Sequence, residues 1–148
     1  MLKRALICVL AGMLCGCTTI FKPDQDVFYG PDFFSCNYWI DRNQDGKIAI
    51  DEWEGVKDCF FENEHVCFVA YFRQKPGTPL SFRLISPDGT VHSEKKLKQT
   101  AKTTIWCQEY EARNLVRAKG YGIWKVEWYA GDRLVNITTI RIYKIPTD

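Results

Sequence analysis

One stretch of twelve residues, 41–52, carries the oxygen donors that a hard cation requires. The donors are the side chains of Asp41, Asn43, Asp45 and Glu52, together with the backbone carbonyl of Lys47. The first three alternate along the chain, so their oxygens can converge on one ion while the backbone wraps around it. Gly46 permits the sharp turn, and Glu52 can close the coordination sphere with both carboxylate oxygens. The spacing therefore predicts a Ca²⁺ site in this stretch.

The stretch resembles the calcium-binding loop of the EF-hand family. The likeness extends to Ile48, where the family places an apolar residue that anchors the loop's short strand. It departs at Ala49, which has no oxygen to hold the bridging water found at that position. Three carboxylates remain, which suits the weak end of the affinity range, ~10⁻⁴ to 10⁻³ M. The alternative is an ordinary surface turn rich in Asp, Asn and Gly.

The segments on both sides of the loop have apolar residues at helical spacing. The apolar positions are Phe33, Cys36 and Ile40 before the loop and Trp53, Val56 and Phe60 after it. Pro31 and Asp32 favour a helix start, because proline tolerates the first turn and an acidic residue there complements the helix dipole. We therefore expect an EF-hand helix-loop-helix unit over residues 30–62.

Residues 1–16 have the features of a bacterial signal peptide. Two basic residues precede an apolar run that is too short to span a membrane. The run ends in Leu-Cys-Gly-Cys, which resembles the lipobox, whose last cysteine receives the lipid and becomes the mature N-terminus. That cysteine is Cys17, followed by a polar tether over residues 17–29. The alternatives are an ordinary secretory signal and an uncleaved membrane anchor.

The residue after the lipobox indicates which membrane would hold the protein. Thr18 stands where enterobacterial lipoproteins kept at the inner membrane have aspartate. The resemblance therefore implies a lipid-anchored protein of the bacterial cell envelope, attached to the outer membrane.

Acidic and basic residues are unevenly divided along the chain. Residues 18–64 contain eleven acidic and four basic residues, whereas residues 65–148 contain seven acidic and fourteen basic residues. A cation site accounts for part of the acidic excess, and docking of the two parts on each other for much of the rest. No nucleic-acid partner is expected, because no binding motif is present and the signal directs the chain to the envelope.

Four cysteines remain once the signal peptide and Cys17 are set aside: Cys36, Cys59, Cys67 and Cys107. They allow three pairings, and an envelope protein is expected to form disulfides. We prefer Cys36–Cys59 and Cys67–Cys107, with Cys59–Cys67 still open. Each bridge stabilises a small domain by roughly 2–4 kcal/mol.

From residue 65 onward the pattern changes to short strands separated by turns. The predicted strands cover residues 66–73, 80–85, 90–95, 103–111, 124–129 and 133–143. The closing segment, residues 122–134, resembles the last hairpin of immunoglobulin-like modules. The predicted fold is thus α+β, with the EF-hand unit packed on an antiparallel immunoglobulin-like β-sandwich over residues 63–148; a barrel is the alternative.

The residues that could carry catalysis are few. His65 and His92 lie in no recognised catalytic motif, so we predict that the protein is not an enzyme. The tryptophans on predicted strands favour core packing, whereas a joint exposure of them would indicate a sugar-binding face. The sequence therefore predicts a calcium-binding envelope lipoprotein whose ion stabilises the fold. The alternative is a calcium-dependent module that binds a glycan or an envelope protein.

Overall fold

The computed structural model describes residues 32–147, and most of the regular structure in this part of the chain is β-strand. The strands are β1 (Phe33–Cys36), β2 (Tyr38–Trp39), β3 (Trp53–Glu54), β4 (Cys59–Phe61), β5 (His65–Phe72), β6 (Pro79–Ile85), β7 (Val91–Lys98), β8 (Thr104–Glu111), β9 (Gly122–Ala130) and β10 (Arg133–Tyr143). A 3₁₀ turn covers Ile50–Glu52, and the helix α1 covers Ala112–Lys119. Within residues 32–147, no helix has the length and apolar character needed to cross a membrane. The predictions for residues 1–16, for Cys17 and for the tether 17–29 lie outside the described residues.

The strands form three sheets. One sheet has the order β1-β5-β8, a second has the order β4-β10-β9-β6-β7, and β2 pairs with β3 alone. All pairs are antiparallel except β4 with β10, which run parallel. β1 and β4 both come from the part of the chain around the predicted loop, so that part supplies edge strands to both larger sheets.

The two larger sheets pack face to face over an aromatic core. Phe72 of β5 and Trp106 of β8 meet Phe82 of β6 and Trp128 of β9. The ring centroids of Phe82 and Trp128 are 5.1 Å apart, and those of Trp106 and Trp128 are 5.8 Å apart, with edge-to-face geometry in both pairs. Such contacts add roughly 0.5–1.5 kcal/mol each beyond the burial of apolar area.

The strand predictions from residue 65 onward are confirmed, with ends that shift by at most three residues. In β9 the predicted alternation holds, because Trp124, Val126 and Trp128 are buried while Lys125 is exposed. The helix α1 was missed. Its buried residues, Ala112 and Leu115, have helical spacing.

The predicted α+β fold with an EF-hand helix-loop-helix is wrong. The segment before the loop forms β1 and β2, and the segment after it forms β3 and β4. The aromatic residues of β1 pack better on a sheet, since Phe33 pairs with Ala70 and Phe34 with Val69 on β5. The topology also differs from an antiparallel immunoglobulin-like sandwich, because β10 pairs in parallel with β4.

Gly55 explains why the chain turns directly after β3. It has φ +64°, and a Cβ atom at this position would lie 2.0 Å from Oδ1 of Asn37. Only glycine combines this backbone conformation with such a close approach. The turn ends β3 after two residues and excludes the helix that Trp53 and Val56 suggested.

Candidate cation-binding loop and neighbouring sites

The loop over residues 41–52 is closed at its base by the short β2–β3 pair. Trp39 is opposite Trp53 in this pair, and the Ile40 N–H donates to the backbone oxygen of Glu52 at 2.9 Å. Arg42 also forms a salt bridge with Glu54 across the base. Paired strands therefore hold the ends of the loop in place of two helices.

The first half of the loop is folded around its own side-chain oxygens. The two carboxylate oxygens of Asp41 accept hydrogen bonds from the N–H groups of Asp45, at 3.2 Å, and Gly46, at 2.9 Å. The Asp45 N–H also donates to Oδ1 of Asn43 at 3.0 Å, and Oδ1 of Asp45 accepts from Lys47 N–H at 2.8 Å. The three predicted ligand side chains in this half of the loop thus turn toward its backbone amides.

Two residues with positive φ make this arrangement possible. Gly46 has φ +69°, which agrees with the sharp turn predicted at this glycine, and Gln44 has φ +58°. A left-handed conformation at a residue other than glycine costs roughly 1–2 kcal/mol. The hydrogen bonds to Asp41, Asn43 and Asp45 are the contacts that offset this cost.

Glu52 links the far end of the loop to its beginning. Its side chain is buried, with only 2% of the residue exposed. Oε1 accepts from Arg42 N–H at 3.0 Å, whereas Oε2 accepts from Ala49 N–H at 3.0 Å and from the indole Nε1–H of Trp39 at 3.1 Å. These bonds lower the pKa of the Glu52 carboxyl, with that of Ala49 contributing most, although burial opposes the shift. The group is therefore a carboxylate at neutral pH.

The carboxylates of the loop do not meet at one point. Within residues 32–147, the ligand atoms of His, Cys, Asp and Glu gather in a group of three within 4.8 Å only at Cys67, Cys107 and Glu109. A cation must therefore draw Asp41, Asp45 and Glu52 closer together. The lone pairs not used by the backbone amides are available for it, because a carboxylate oxygen can accept more than one interaction.

The remaining loop positions have different surroundings. Lys47 is exposed, and Ala49 contributes its N–H to Glu52. Ile48 packs against a second hydrophobic cluster, which is separate from the main core. The buried members of this second cluster are Phe34, Cys36, Trp53, Cys67 and Val69. The loop is therefore coupled by packing to β1 and β5.

The cysteines lie in both larger sheets. Cys67 of β5 and Cys107 of β8 form a disulfide with Cα atoms 6.1 Å apart. Cys36 is a buried free thiol, and Cys59 is disulfide-bonded. The bridge that we preferred between Cys36 and Cys59 is absent, because Cys36 lies on β1 beside Cys67 whereas Cys59 lies on β4 beside Arg141.

The tryptophans do not form an exposed binding face. Trp53, Trp106, Trp124 and Trp128 are all buried, and Trp39 is half-buried against Glu52. His92 packs against Trp124 with ring centroids 5.4 Å apart, and His65 is exposed at the start of β5. This burial argues against a glycan site built from stacked tryptophans.

A depression of about 440 Å³ on the outer face of the five-stranded sheet was not anticipated from the sequence. Its lining includes Ser81, Arg83, Glu94, Lys96 and Tyr129. Ser81 is paired with Lys96 on one side and Tyr129 on the other, so the smaller side chain forms the floor. The only sequence signal for this site was the alternation of apolar and polar residues in β6 and β9, which indicates that the polar residues share one face.

Comparisons with known proteins show no family to which the chain belongs. No protein-family model and no curated protein matches the sequence. Among solved structures, the chain is similar to a β-glucosidase from Listeria innocua in complex with glucose, with a TM-score of 0.37 and 10% identity. The match covers 57% of this chain and 14% of the glucosidase chain. At this TM-score the similarity bears on neither fold nor function.

Proposed function

We propose that the protein is a calcium-binding lipoprotein of the bacterial envelope, in which Ca²⁺ bound by residues 41–52 stabilises the fold. The observation that carries the proposal is the inward arrangement of Asp41, Asn43 and Asp45 around the loop amides. Calcium prefers six to eight oxygen ligands, and these side chains with Glu52 and the Lys47 carbonyl supply most of such a set. The ligands are held by paired strands, and no helix-loop-helix is required.

The ion would stabilise the fold through charge and packing. The loop contains four acidic and two basic residues, so a divalent ion neutralises its excess charge. Glu52 connects the loop to Trp39, and Ile48 connects it to the second hydrophobic cluster. Bringing the ligands together therefore also tightens the contacts of the loop with β2 and β5. The membrane anchor in this proposal is the predicted lipid on Cys17.

Thermal unfolding of the purified protein, with its disulfides intact, tests the proposal. A ligand that binds only the folded state raises stability by mass action. With calcium at roughly ten to a hundred times Kd, the gain is about 1.4–2.7 kcal/mol. The midpoint should rise in calcium relative to chelator for the wild type and for Asp51→Asn, but not for Glu52→Gln. Asp51 supplies the same charge from a position that the ligand pattern does not use.

The possible outcomes separate the ion from general electrostatics. Equal responses of Glu52→Gln and Asp51→Asn would show that calcium acts only by screening the acidic loop. No response of the wild type would leave residues 41–52 as a structural turn. Isothermal titration calorimetry of the same three proteins would give the stoichiometry, which we expect to be one ion per chain.

A second candidate function is the binding of a polar envelope ligand, such as a saccharide, in the depression over Ser81. The Arg83 guanidinium lies 5.9 Å from the ring centroid of Tyr129, whose hydroxyl donates to Glu127 at 2.8 Å. The Arg83 Nε atom is buried and lies 4.0 Å from Oε2 of Glu94, and Nη1 of Arg83 lies 3.9 Å from Oε2 of Glu127. The depression thus combines an aromatic ring with a guanidinium and the Glu94 carboxylate, and its volume is in the range of small-molecule sites.

NMR titration with a peptidoglycan-derived disaccharide tests this second candidate. Binding would shift the amide signals of β6 and β9 around Ser81. The variant Ser81→Phe fills the depression and should abolish those shifts, whereas Thr139→Phe changes an exposed position on β10 and serves as a control. Shifts that persist in Ser81→Phe, or that are absent in the wild type, would exclude this site for the disaccharide.

A further inference from the structure

Three cysteines lie side by side across the three-stranded sheet. β5 is the central strand of this sheet, with β1 on one side and β8 on the other. Cys67 of β5 is directly opposite Cys36 of β1 and is disulfide-bonded to Cys107 of β8. Cys36 and Cys67 are fully buried in the second hydrophobic cluster, and Cys107 packs against the same cluster. The three side chains therefore share one face of the sheet.

Either neighbour of Cys67 is close enough for a disulfide. Directly opposite residues on antiparallel strands have Cα atoms roughly 4.5–5.5 Å apart. Disulfides span Cα separations of roughly 4.4–6.8 Å. The existing Cys67–Cys107 bridge spans 6.1 Å, so both separations fall in the permitted range.

We propose that Cys36, Cys67 and Cys107 form a thiol–disulfide exchange site, in which Cys67 changes its partner from Cys107 to Cys36. The Cys36 thiol first gives its proton to solvent, and its thiolate attacks Sγ of Cys67. The bond between Cys67 and Cys107 breaks, and its electron pair leaves on Sγ of Cys107, which takes up a proton. One thiol and one disulfide are present before and after the step, so it requires no oxidant or reductant.

The exchange moves the free thiol from the interior to the surface. Cys36 has no exposed surface, whereas Cys107 is partly exposed in β8. Burial, with a further contribution from the charge of Glu109, raises the pKa of the Cys36 thiol to about 12. The attacking group is therefore held in its unreactive form until β1 or the loop beside it opens.

The thiol that is released can react with an external substrate, which would be a low-molecular-weight disulfide. A Cys107 thiolate can attack a low-molecular-weight disulfide, such as oxidised glutathione. One half of that molecule becomes a mixed disulfide on Cys107, and the other half leaves as a thiol. Glu109 has a carboxylate oxygen within 4.8 Å of Sγ of Cys107, so this thiol would face solvent beside a negative charge.

Disulfide mapping of the full chain, purified without reductant, tests the proposal. The protein is incubated at mildly alkaline pH, and free thiols are trapped with N-ethylmaleimide at successive times. Trypsin cleaves after Lys57, which separates Cys36 from Cys59, and Glu-C protease cleaves after Glu64, which separates Cys59 from Cys67. We expect a peptide that joins Cys36 to Cys67 to accumulate together with alkylated Cys107.

A variant without the attacking thiol provides the control. Cys36→Ser should lose the alkylation of Cys107 and keep the Cys67–Cys107 bridge. If the serine variant does not fold, Cys36→Ala removes the thiol while placing a small apolar side chain in the cluster. Incubation of the wild type with oxidised glutathione in place of the maleimide should add one glutathione to Cys107.

Two results would overturn the proposal. The first is alkylation of Cys36 in wild-type protein whose Cys67–Cys107 bridge persists at all times. The second is equal alkylation of Cys107 with and without the Cys36 thiol. Neither result depends on calcium, so the test is independent of the proposed cation site.

Discussion

Glu52 and Trp39 are joined by a hydrogen bond from the indole Nε1 to Oε2 at 3.1 Å, across the base of the loop. The carboxylate that would be the last calcium ligand is therefore already held by the protein. Its two oxygens also accept the N–H groups of Arg42 and Ala49, so the loop is closed before any ion arrives.

The first prediction concerns the acid side of the stability curve. These hydrogen bonds hold the pKa of Glu52 below its ordinary value of 4.5. The group therefore contributes stability above the pKa of the unfolded chain, and this contribution is lost as pH falls through the lower folded value. We expect the free energies of unfolding of the wild type and of Glu52→Gln, measured with denaturant, to converge as pH decreases from the unfolded pKa to the folded pKa of Glu52. A difference that is constant with pH would contradict the assignment.

The second prediction separates a side-chain ligand from a carbonyl ligand. Asp45→Asn keeps an Oδ1 that can accept from Lys47 N–H, but it removes one ligand charge. Since the charge of the ligand set tunes calcium affinity, we expect Kd to rise by about tenfold. Lys47→Ala should leave Kd unchanged or lower it slightly, because only the backbone carbonyl of Lys47 is required. Calorimetric titration measures both values, and an equal loss in the two variants would argue against this ligand set.

The sequence predicted the second half of the chain better than the first because β9 and β10 have regular side-chain alternation. Trp124, Val126 and Trp128 alternate with exposed or half-buried residues, and this two-residue period is typical of a strand and not of a helix. In the first half, the three-residue spacing of Phe33 and Cys36 indicated a helix, whereas in β1 it places the two side chains on opposite faces, toward the two hydrophobic clusters. Whether this segment forms a helix or a strand depends on its pairing with β5, a long-range contact that local periodicity does not predict.

The candidate loop and the cysteines show the same limit. The positive φ of Gly46 and the inward turn of Asp41 follow from local sequence, so the loop pattern predicts them. The position of Cys36 opposite Cys67 depends on the register of two strands about thirty residues apart. The depression over Ser81 is formed by side chains of three strands at once, so the pattern along any single strand does not predict it.

The third prediction concerns Gly55, which ends β3. Gly55→Ala would place a methyl group 2.0 Å from Oδ1 of Asn37 and would also force alanine to φ +64°. In the wild type, the Asn37 amide donates to Glu64 at 3.2 Å and to the His65 carbonyl at 3.1 Å, and the added methyl group would displace it from both acceptors. We expect a loss of about 3 kcal/mol in the free energy of unfolding, from the backbone strain and the lost hydrogen bonds together.

Gly77→Ala is the matched control for this substitution. Gly77 has φ +86°, and a Cβ atom there would have no neighbour within 4 Å. Its substitution should therefore cost only the backbone strain, about 1–2 kcal/mol. Urea unfolding of both variants measures the difference, and equal losses would show that the contact with Asn37 is unimportant.

The fourth prediction tests the polar contact at the centre of the main core. The indole Nε1 of Trp128, a fully buried residue, donates to Oγ1 of Thr138 at 3.0 Å, between neighbouring strands. Thr138→Val keeps the shape of the side chain but leaves the indole N–H without an acceptor, which should cost about 1–3 kcal/mol. Thr139→Val alters an exposed position on the opposite face of β10 and should change stability by less than about 0.5 kcal/mol. Urea unfolding followed by tryptophan fluorescence measures both effects. A neutral Thr138→Val would mean that this hydrogen bond makes no net contribution to the stability of the packed β9–β10 pair.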